Sequence, residues 1–169
     1  TLIEIIRNSK KFTPYIFITG LHTLKKFGLT YKEIVGQKYK NIKIYDNKFT
    51  DQKILCGDLL ISEAIKGLRK YVLKIKPDLI LIHGDKHEAL AGAIVGCMNN
   101  ILTGHIEGGE ISGNIDEIIR HSISKLSHVH FTSNKKALNR LVLMGEEKKN
   151  IFNIGSPDID LILKKSKIS

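Results

Sequence analysis

The chain has 169 residues, of which 42% are hydrophobic, enough for the core of one domain of ordinary size but not of two. Apolar runs such as residues 79–82 are far shorter than the roughly 20 residues of a membrane span, and no signal peptide is recognisable. The net charge is +10, but the basic residues are scattered, and neither tryptophan nor an aromatic RNA-binding motif occurs. Composition therefore predicts a cytoplasmic domain without nucleic-acid or membrane partners, whose basic surface suits an anionic small substrate.

Segments of strand type alternate with segments of helical spacing, which is the pattern of βαβ units around a parallel sheet. Strands are predicted at residues 15–19, 41–46, 79–82, 101–106, 128–133 and 151–154. Helices are predicted at residues 2–7, 58–75, 87–99, 115–126, 134–144 and from 158 onward. The apolar run within 77–85 predicts a central strand covered on both faces, and the alternation in 41–46 predicts a half-exposed edge strand. The fold class is therefore α/β.

Polar residues with useful chemistry recur where the predicted strands end. Ligands of parallel α/β sheets bind beyond the carboxyl ends of the strands, so these residues are expected to share one rim. They are His22, His83, Asp85, Lys86, His105, Glu107 and Ser156.

Asp85 and Glu107 follow two consecutive strands, and neighbouring parallel strands lie about 4.8 Å apart. Two carboxylates at one ligand can divide the roles of acid and base, because each raises the proton affinity of the other. Separately, Asp85 could cap the next helix and Glu107 could pair with a lysine. Their occurrence together favours a catalytic function.

Two pairs of ionisable residues lie in the helical stretch that follows the glycine turn at 108–109. Asp116 and Arg120 are four positions apart, as are Glu117 and His121, so each pair shares a helix face. Ordinary surface ion pairs would explain this spacing. They would not explain the preceding glycines, which allow the backbone to approach a ligand closely.

The seven histidines raise the possibility of a metal site, and residues 83–88 resemble a fragment of a dinuclear metallophosphoesterase site. The remaining ligands of such a site are missing, so no metal is predicted, and His128 and His130 are expected to face the helix layer. Neither the GxGxxG nor the GxxxxGK[ST] fingerprint occurs, so no bound cofactor is predicted.

Three sequence blocks resemble the UDP-N-acetylglucosamine 2-epimerases, in particular the hydrolysing branch of the sialic-acid and legionaminic-acid pathways. They are HGD at 83–85, HIEGGEISGNIDEIIRH at 105–121 and SKLSH at 124–128. Further similarity at 27–34 and 154–158 extends the resemblance over essentially the whole chain.

The resemblance implies a Rossmann-like domain, the N-terminal half of a GT-B fold. We expect residues 1–169 to form this domain without its first strand, because the sequence opens at Thr1 in a helix-like segment. A second domain supplying most nucleotide contacts is expected beyond the chain, so residues 1–169 alone should be inactive. The resemblance also implies a homo-oligomer.

In the family reaction, the proton at C2 of the sugar is removed and the nucleoside diphosphate leaves from C1. Water then adds to the resulting 2-acetamidoglucal with inversion at C2, which releases N-acetylmannosamine or a diacetamido analogue. The resemblance implies that Asp85, Glu107 and Asp116 are catalytic, with Asp85 or Glu107 acting at C2 and Asp116 handling a later proton. It further implies that the substrate is bound by His22, His83, Lys86, His105, Arg120, His121 and Ser156. A non-catalytic nucleotide-sugar-binding module and a metal-dependent phosphoesterase are the alternatives.

Overall fold

The computed structural model describes residues 2–46 and 56–166. Its strands are β1 (Ile16–Ile18), β2 (Ile42–Ile44), β3 (Leu79–His83), β4 (Leu102–Ile106), β5 (Val129–Thr132) and β6 (Ile151–Asn153). Its α-helices are α1 (Leu2–Asn8), α2 (Tyr31–Gly36), α3 (Gly57–Ile75), α4 (His87–Met98), α5 (Ile115–Lys125), α6 (Lys135–Leu143) and α7 (Pro157–Ser166). Every predicted strand and helix is present, with ends displaced by one or two residues; α2 is additional.

All strand pairs in the described part of the chain are parallel. β1 pairs with β2 in one sheet, and β3, β4, β5 and β6 form a second sheet in that order. Helices α4, α5 and α6 connect the successive strands of the second sheet. The predicted α/β fold, a Rossmann-like parallel sheet flanked by helices, is therefore confirmed.

The main core lies between the four-stranded sheet and helices α4 and α5. Ile82 of β3 packs against Ala93 of α4 and against Ile119 and Ile123 of α5. Small residues of α4 permit this close approach: a Cβ added at Gly96 would lie 2.2 Å from the Thr103 hydroxyl oxygen of β4. The short side chains of α4 thus allow this helix to pack closely on the sheet.

The opposite face of this sheet carries exposed apolar side chains. Leu79 and Leu81 are 40% and 37% exposed, and Phe152 of β6, which stacks on Phe131, is 49% exposed. The prediction that the 77–85 strand is covered on both faces is therefore wrong for the described residues. β3 is an end strand of its sheet, and α4 and α5 cover only one of its faces.

Helix α3 packs along α4 and also covers the two-stranded sheet. Tyr71 of α3 stacks on Phe17 of β1 with ring centroids 5.8 Å apart, and Gly67 lies directly against the ring of Tyr45. Helix α3 therefore links the two-stranded sheet to α4. Within residues 2–46 and 56–166, no helix combines the length and apolarity needed to cross a membrane.

Candidate functional site

The carboxyl ends of β3 and β4 form the centre of the candidate site. His83 pairs in register with Ile106, so the turns that carry Asp85 and Glu107 leave neighbouring strands at the same edge. The predicted neighbourhood of the two carboxylates therefore follows directly from the strand register.

Glu107 is held by a hydroxyl and an imidazole. One carboxylate oxygen accepts a hydrogen bond from the Ser156 hydroxyl at 3.0 Å, and the other lies 3.0 Å from His83 Nε2. The Glu107 N–H donates to the Phe131 carbonyl at 2.8 Å, and its φ of +65° is in the left-handed region. A non-glycine residue in this conformation stores strain, and such residues cluster at functional sites.

Asp85 and Asp116 are instead linked to cationic groups. Asp85 pairs with the Arg120 guanidinium, while Asp116 accepts from Lys86 Nζ at 2.9 Å. Lys86 Nζ also lies 3.8 Å from the second oxygen of Asp85. Positive and negative groups therefore alternate in the order Arg120, Asp85, Lys86, Asp116. The Lys86 hydrogen bond lowers the pKa of Asp116, and the same bond raises the pKa of Lys86.

Arg120 reaches away from its own helix. It is 8% exposed, donates to the Glu110 carbonyl at 3.0 Å and lies 3.4 Å from the Ser112 hydroxyl. The ordinary surface ion pair with Asp116, which would have explained their spacing on α5, does not form, because Arg120 pairs with Asp85. Arg120 therefore connects the turn after β3 to the loop before α5.

The remaining carboxylates of this crowded stretch stabilise the loop. Glu117 accepts the backbone N–H groups of Ser112 and Gly113 at 2.7 and 2.8 Å, and these bonds, the Gly113 bond foremost, lower its pKa. Glu110 accepts from the Asn134 side chain at 2.7 Å. Each acid thus has its own donors, which explains how so many carboxylates can lie close together.

The glycines of this loop offer a matched test of its packing. Gly109 and Gly113 have φ values of +80° and +70°, but only Gly109 is enclosed: a Cβ added there would lie 2.4 Å from the Ala137 carbonyl oxygen. We expect Gly113→Ala to cost about 1 kcal/mol, the penalty of a left-handed alanine, and Gly109→Ala to cost clearly more. Urea unfolding of both variants measures this difference; equal losses would contradict the packing described.

His105 lies beneath the rim rather than on it. It is fully buried; Nε2 lies 3.0 Å from the Gly84 carbonyl and Nδ1 lies 3.0 Å from the Ser124 hydroxyl. A carbonyl only accepts, so Nε2 carries the proton and Nδ1 accepts from Ser124. With both ring nitrogens occupied, His105 supports the turn that carries Asp85, which favours a positioning role over the expected substrate contact.

Burial makes the stability of the protein depend on His105 in weak acid. Burial lowers the pKa of His105 from 6.5 to about 4, so the unfolded state takes up the proton first as the pH falls. This contribution to stability is complete above pH 6.5 and is lost progressively towards pH 4, by about 2 kcal/mol between pH 6.5 and pH 5.

Urea unfolding at pH 7 and pH 5 measures this loss. His130, which is also buried and has a lowered pKa, contributes in the same direction. His105→Gln is therefore the necessary comparison, and we expect it to be less stable at pH 7 but to lose less on acidification. An unchanged pH dependence in this variant would contradict the assignment.

The other histidines expected to bind substrate contact neither Glu107 nor the ion pairs of Asp85 and Asp116. His22, at the rim of the smaller sheet, has Nδ1 2.7 Å from the Thr30 hydroxyl. His121 lies 4.0 Å from Glu117, and burial lowers its pKa. Of the two histidines expected to face the helix layer, His130 is buried, 3.2 Å from Glu146, whereas His128 is exposed, so the expectation is wrong for His128. Among the described residues, no group of three His, Cys, Asp or Glu side chains is arranged to hold a metal ion.

Sequence reasoning missed several residues that organise this site. Ser124 supports His105, Glu88 accepts a hydrogen bond from the turn after β1, and Arg140 donates to the Gly109 carbonyl. Ser124 follows Arg120 by one helical turn, and Glu88 is in the first turn of α4, so their positions on helix faces were readable. Their hydrogen-bond partners belong to other elements, so these contacts could not be predicted from the sequence.

Comparison with known proteins places this chain in a family. The family model described as UDP-N-acetylglucosamine 2-epimerase matches residues 4–169. The UDP-N-acetylglucosamine 2-epimerase of Neisseria meningitidis serogroup B is 42% identical over 161 residues, which is 95% of this chain and 42% of that protein. The GDP/UDP-N,N'-diacetylbacillosamine 2-epimerase (hydrolyzing) of Campylobacter jejuni is 42% identical over 157 residues, 92% of this chain and 40% of that protein.

A solved structure gives the same result. The UDP-GlcNAc 2-epimerase of Methanocaldococcus jannaschii in complex with UDP-GlcNAc and UDP superposes with a TM-score of 0.80 at 27% identity, covering 99% of this chain and 46% of that one. Such neighbours have the GT-B fold, as the resemblance implied. The chain spans about two fifths of the length of the curated relatives it matches. This chain belongs to the UDP-N-acetylglucosamine 2-epimerase family.

Proposed function

We propose that this chain supplies the acid–base face of a hydrolysing nucleotide-sugar 2-epimerase, with Glu107 as the base at C2. The observation that carries the proposal is the difference between the three carboxylates at the rim. Asp85 and Asp116 each contact a lysine or arginine side chain, whereas Glu107 contacts a hydroxyl and an imidazole. A carboxylate without a permanent cationic partner is the better proton acceptor of the three.

Ser156 and His83 orient this base. Ser156 donates to one oxygen of Glu107, and His83 lies at hydrogen-bond distance from the other. Because both oxygens are held, the carboxylate has a defined direction towards the sugar. We therefore assign Ser156 and His83 to positioning the base.

Lys86 is the cation best placed to bind the diphosphate leaving group. Its side chain is 61% exposed, whereas that of Arg120 is 10% exposed and is occupied by Asp85. The hydrogen bond with Asp116 raises the pKa of Lys86, so the ammonium group stays charged. Its charge would stabilise the phosphate oxygens as the bond to C1 breaks.

The later proton at C2 is assigned to Asp116. Removal of the C2 proton by Glu107 and departure of the nucleoside diphosphate leave a 2-acetamidoglucal. Water then adds to C1 while a proton is delivered to C2 from the opposite face. The Lys86 contact lowers the pKa of Asp116, so we infer that Asp116 takes up a proton from solvent only when the diphosphate draws Lys86 away. Asp116 then donates this proton to C2, and the proton lost by the water that adds to C1 returns to solvent.

The proposed whole protein is a cytoplasmic homo-oligomer in which a second domain completes the nucleotide site, and residues 1–169 alone are expected to be inactive. The activities for which the relatives are named leave two substrate classes, UDP-N-acetylglucosamine and UDP- or GDP-linked diacetamidobacillosamine. These substrates differ in the substituents at C4 and C6 of the sugar and, for the GDP-linked form, in the nucleobase. A panel of these nucleotide sugars is therefore the most direct test.

The panel should be incubated in D2O with the full-length protein that carries this chain, and the products followed by NMR. We expect one substrate to release its nucleoside diphosphate and a free 2-epimerised sugar that carries deuterium at C2. Retention of the original proton at C2, or no release from any substrate, would overturn the proposal. Binding without release would instead support the non-catalytic module.

A further inference from the structure

Glu88 links the two sheets at the rim of the site. It is the second residue of α4, and its Oε1 accepts a hydrogen bond from the Leu21 N–H at 3.0 Å. Leu21 belongs to the short 3-10 helix Gly20–Thr23, which follows β1 in the smaller sheet. The bond therefore joins residues 67 positions apart, one beside each sheet.

Gly20 is shaped to receive this carboxylate. It is buried and has a φ of +66°. A Cβ added there would lie 1.6 Å from Glu88 Oε1, so any side chain would displace the carboxylate. The backbone conformation of Gly20 and the position of Glu88 thus depend on each other.

The turn held by Glu88 is closed by its own hydrogen bonds. The Thr23 hydroxyl donates to the Gly20 carbonyl at 2.9 Å, and His22 Nδ1 lies 2.7 Å from the Thr30 hydroxyl. The turn therefore has a defined internal geometry. Its contact with Glu88 holds the turn against α4, whose N-cap residue is Lys86.

We propose that Glu88 is a positioning residue that sets the distance between the His22 turn and the Asp85–Lys86 turn. Its effect on turnover rests on the proposed function, whereas its effect on the turn does not. The role requires an acceptor oxygen at this position and does not require a negative charge.

Amide hydrogen exchange and steady-state kinetics on the full-length protein test this inference with Glu88→Ala and Glu88→Gln. In Glu88→Ala we expect the Leu21 amide to exchange about tenfold faster and KM for the nucleotide sugar to rise about tenfold, with kcat changed much less. Glu88→Gln retains an acceptor oxygen, so exchange and KM should stay close to wild type. Glu147→Ala, an exposed carboxylate before β6, is the matched control and should change neither.

The outcomes separate the two proposals. Normal Leu21 protection and KM in Glu88→Ala would overturn the positioning role, and so would a Glu88→Gln variant as impaired as Glu88→Ala. Faster Leu21 exchange with unchanged KM would show a structural contact that does not position substrate, which also overturns it. If the wild-type protein has no turnover, the proposed function fails, and Leu21 exchange still decides whether Glu88 holds the turn.

Discussion

Glu107→Gln is expected to reduce release of nucleoside diphosphate by about 10³-fold, because a correctly placed general base contributes on the order of 10²–10⁴-fold to such a reaction. Glutamine keeps the size of the side chain and an acceptor for Ser156 but cannot take the proton from C2. The measurement is the initial rate of diphosphate release by the full-length protein, with folding verified by the unfolding midpoint.

Two further variants make this prediction specific. Ser156→Ala removes one hydrogen bond to the base but leaves the carboxylate, so we expect a loss of about tenfold, the value of one such bond. Asp85→Asn should also abolish release, through loss of the Arg120 partner and disturbance of the rim. Near-normal turnover in both Glu107→Gln and Asp85→Asn would show that neither carboxylate is required for the reaction.

Arg120→Ala is expected to have the largest effect on stability, a loss of about 3 kcal/mol in the free energy of unfolding, because it removes the shielded cation of a partly buried carboxylate. Of the described cations, only the exposed Lys86 ammonium, 3.8 Å from the other oxygen of Asp85, would remain. Asp85 is 19% exposed at its side chain, and the same substitution removes the donor to the Glu110 carbonyl. Arg120→Lys should lose less, since the charge remains while the fork that contacts two elements is lost.

Urea unfolding of the single variants and of the double variant Asp85→Asn/Arg120→Ala measures this coupling. We expect the double variant to lose less than the sum of the single losses, because the uncharged amide that replaces the Asp85 carboxylate does not need a cation. Additive losses, or a loss below about 1 kcal/mol in Arg120→Ala, would indicate an exposed ion pair of the kind that contributes little.

The order of strands and helices was predictable because it depends on local periodicity. The apolar run at 79–82 and the helical spacing in 58–75 each specify one element without reference to any other. The six-residue α2 was missed, since it is too short to show that periodicity. The exposed face of β3 was also missed, because coverage of a strand depends on elements elsewhere in the chain.

The proximity of the two carboxylates at the candidate site was predictable for a similar reason. Parallel strands have their carboxyl ends at one edge, so Asp85 and Glu107 had to lie close together once β3 and β4 were neighbours. The depth of His105 was not predictable, because alternation along a strand identifies the face of a side chain but not the helix that covers it.

The sequence by itself determined the parallel α/β fold, the rim and the carboxylates at it, since these depend on periodicity and on where strands end. Only the tertiary structure decided the charge pairing. The spacing of Asp116 and Arg120 would allow an ion pair along α5, but Arg120 pairs with Asp85, and Lys86 pairs with Asp116. Packing brings residues 35 positions apart into contact, and a buried guanidinium is stabilised most by the carboxylate that shares its shielded position. Among the residues that the structure describes, Glu107 has no lysine or arginine partner, and this is the basis of its assignment as the base.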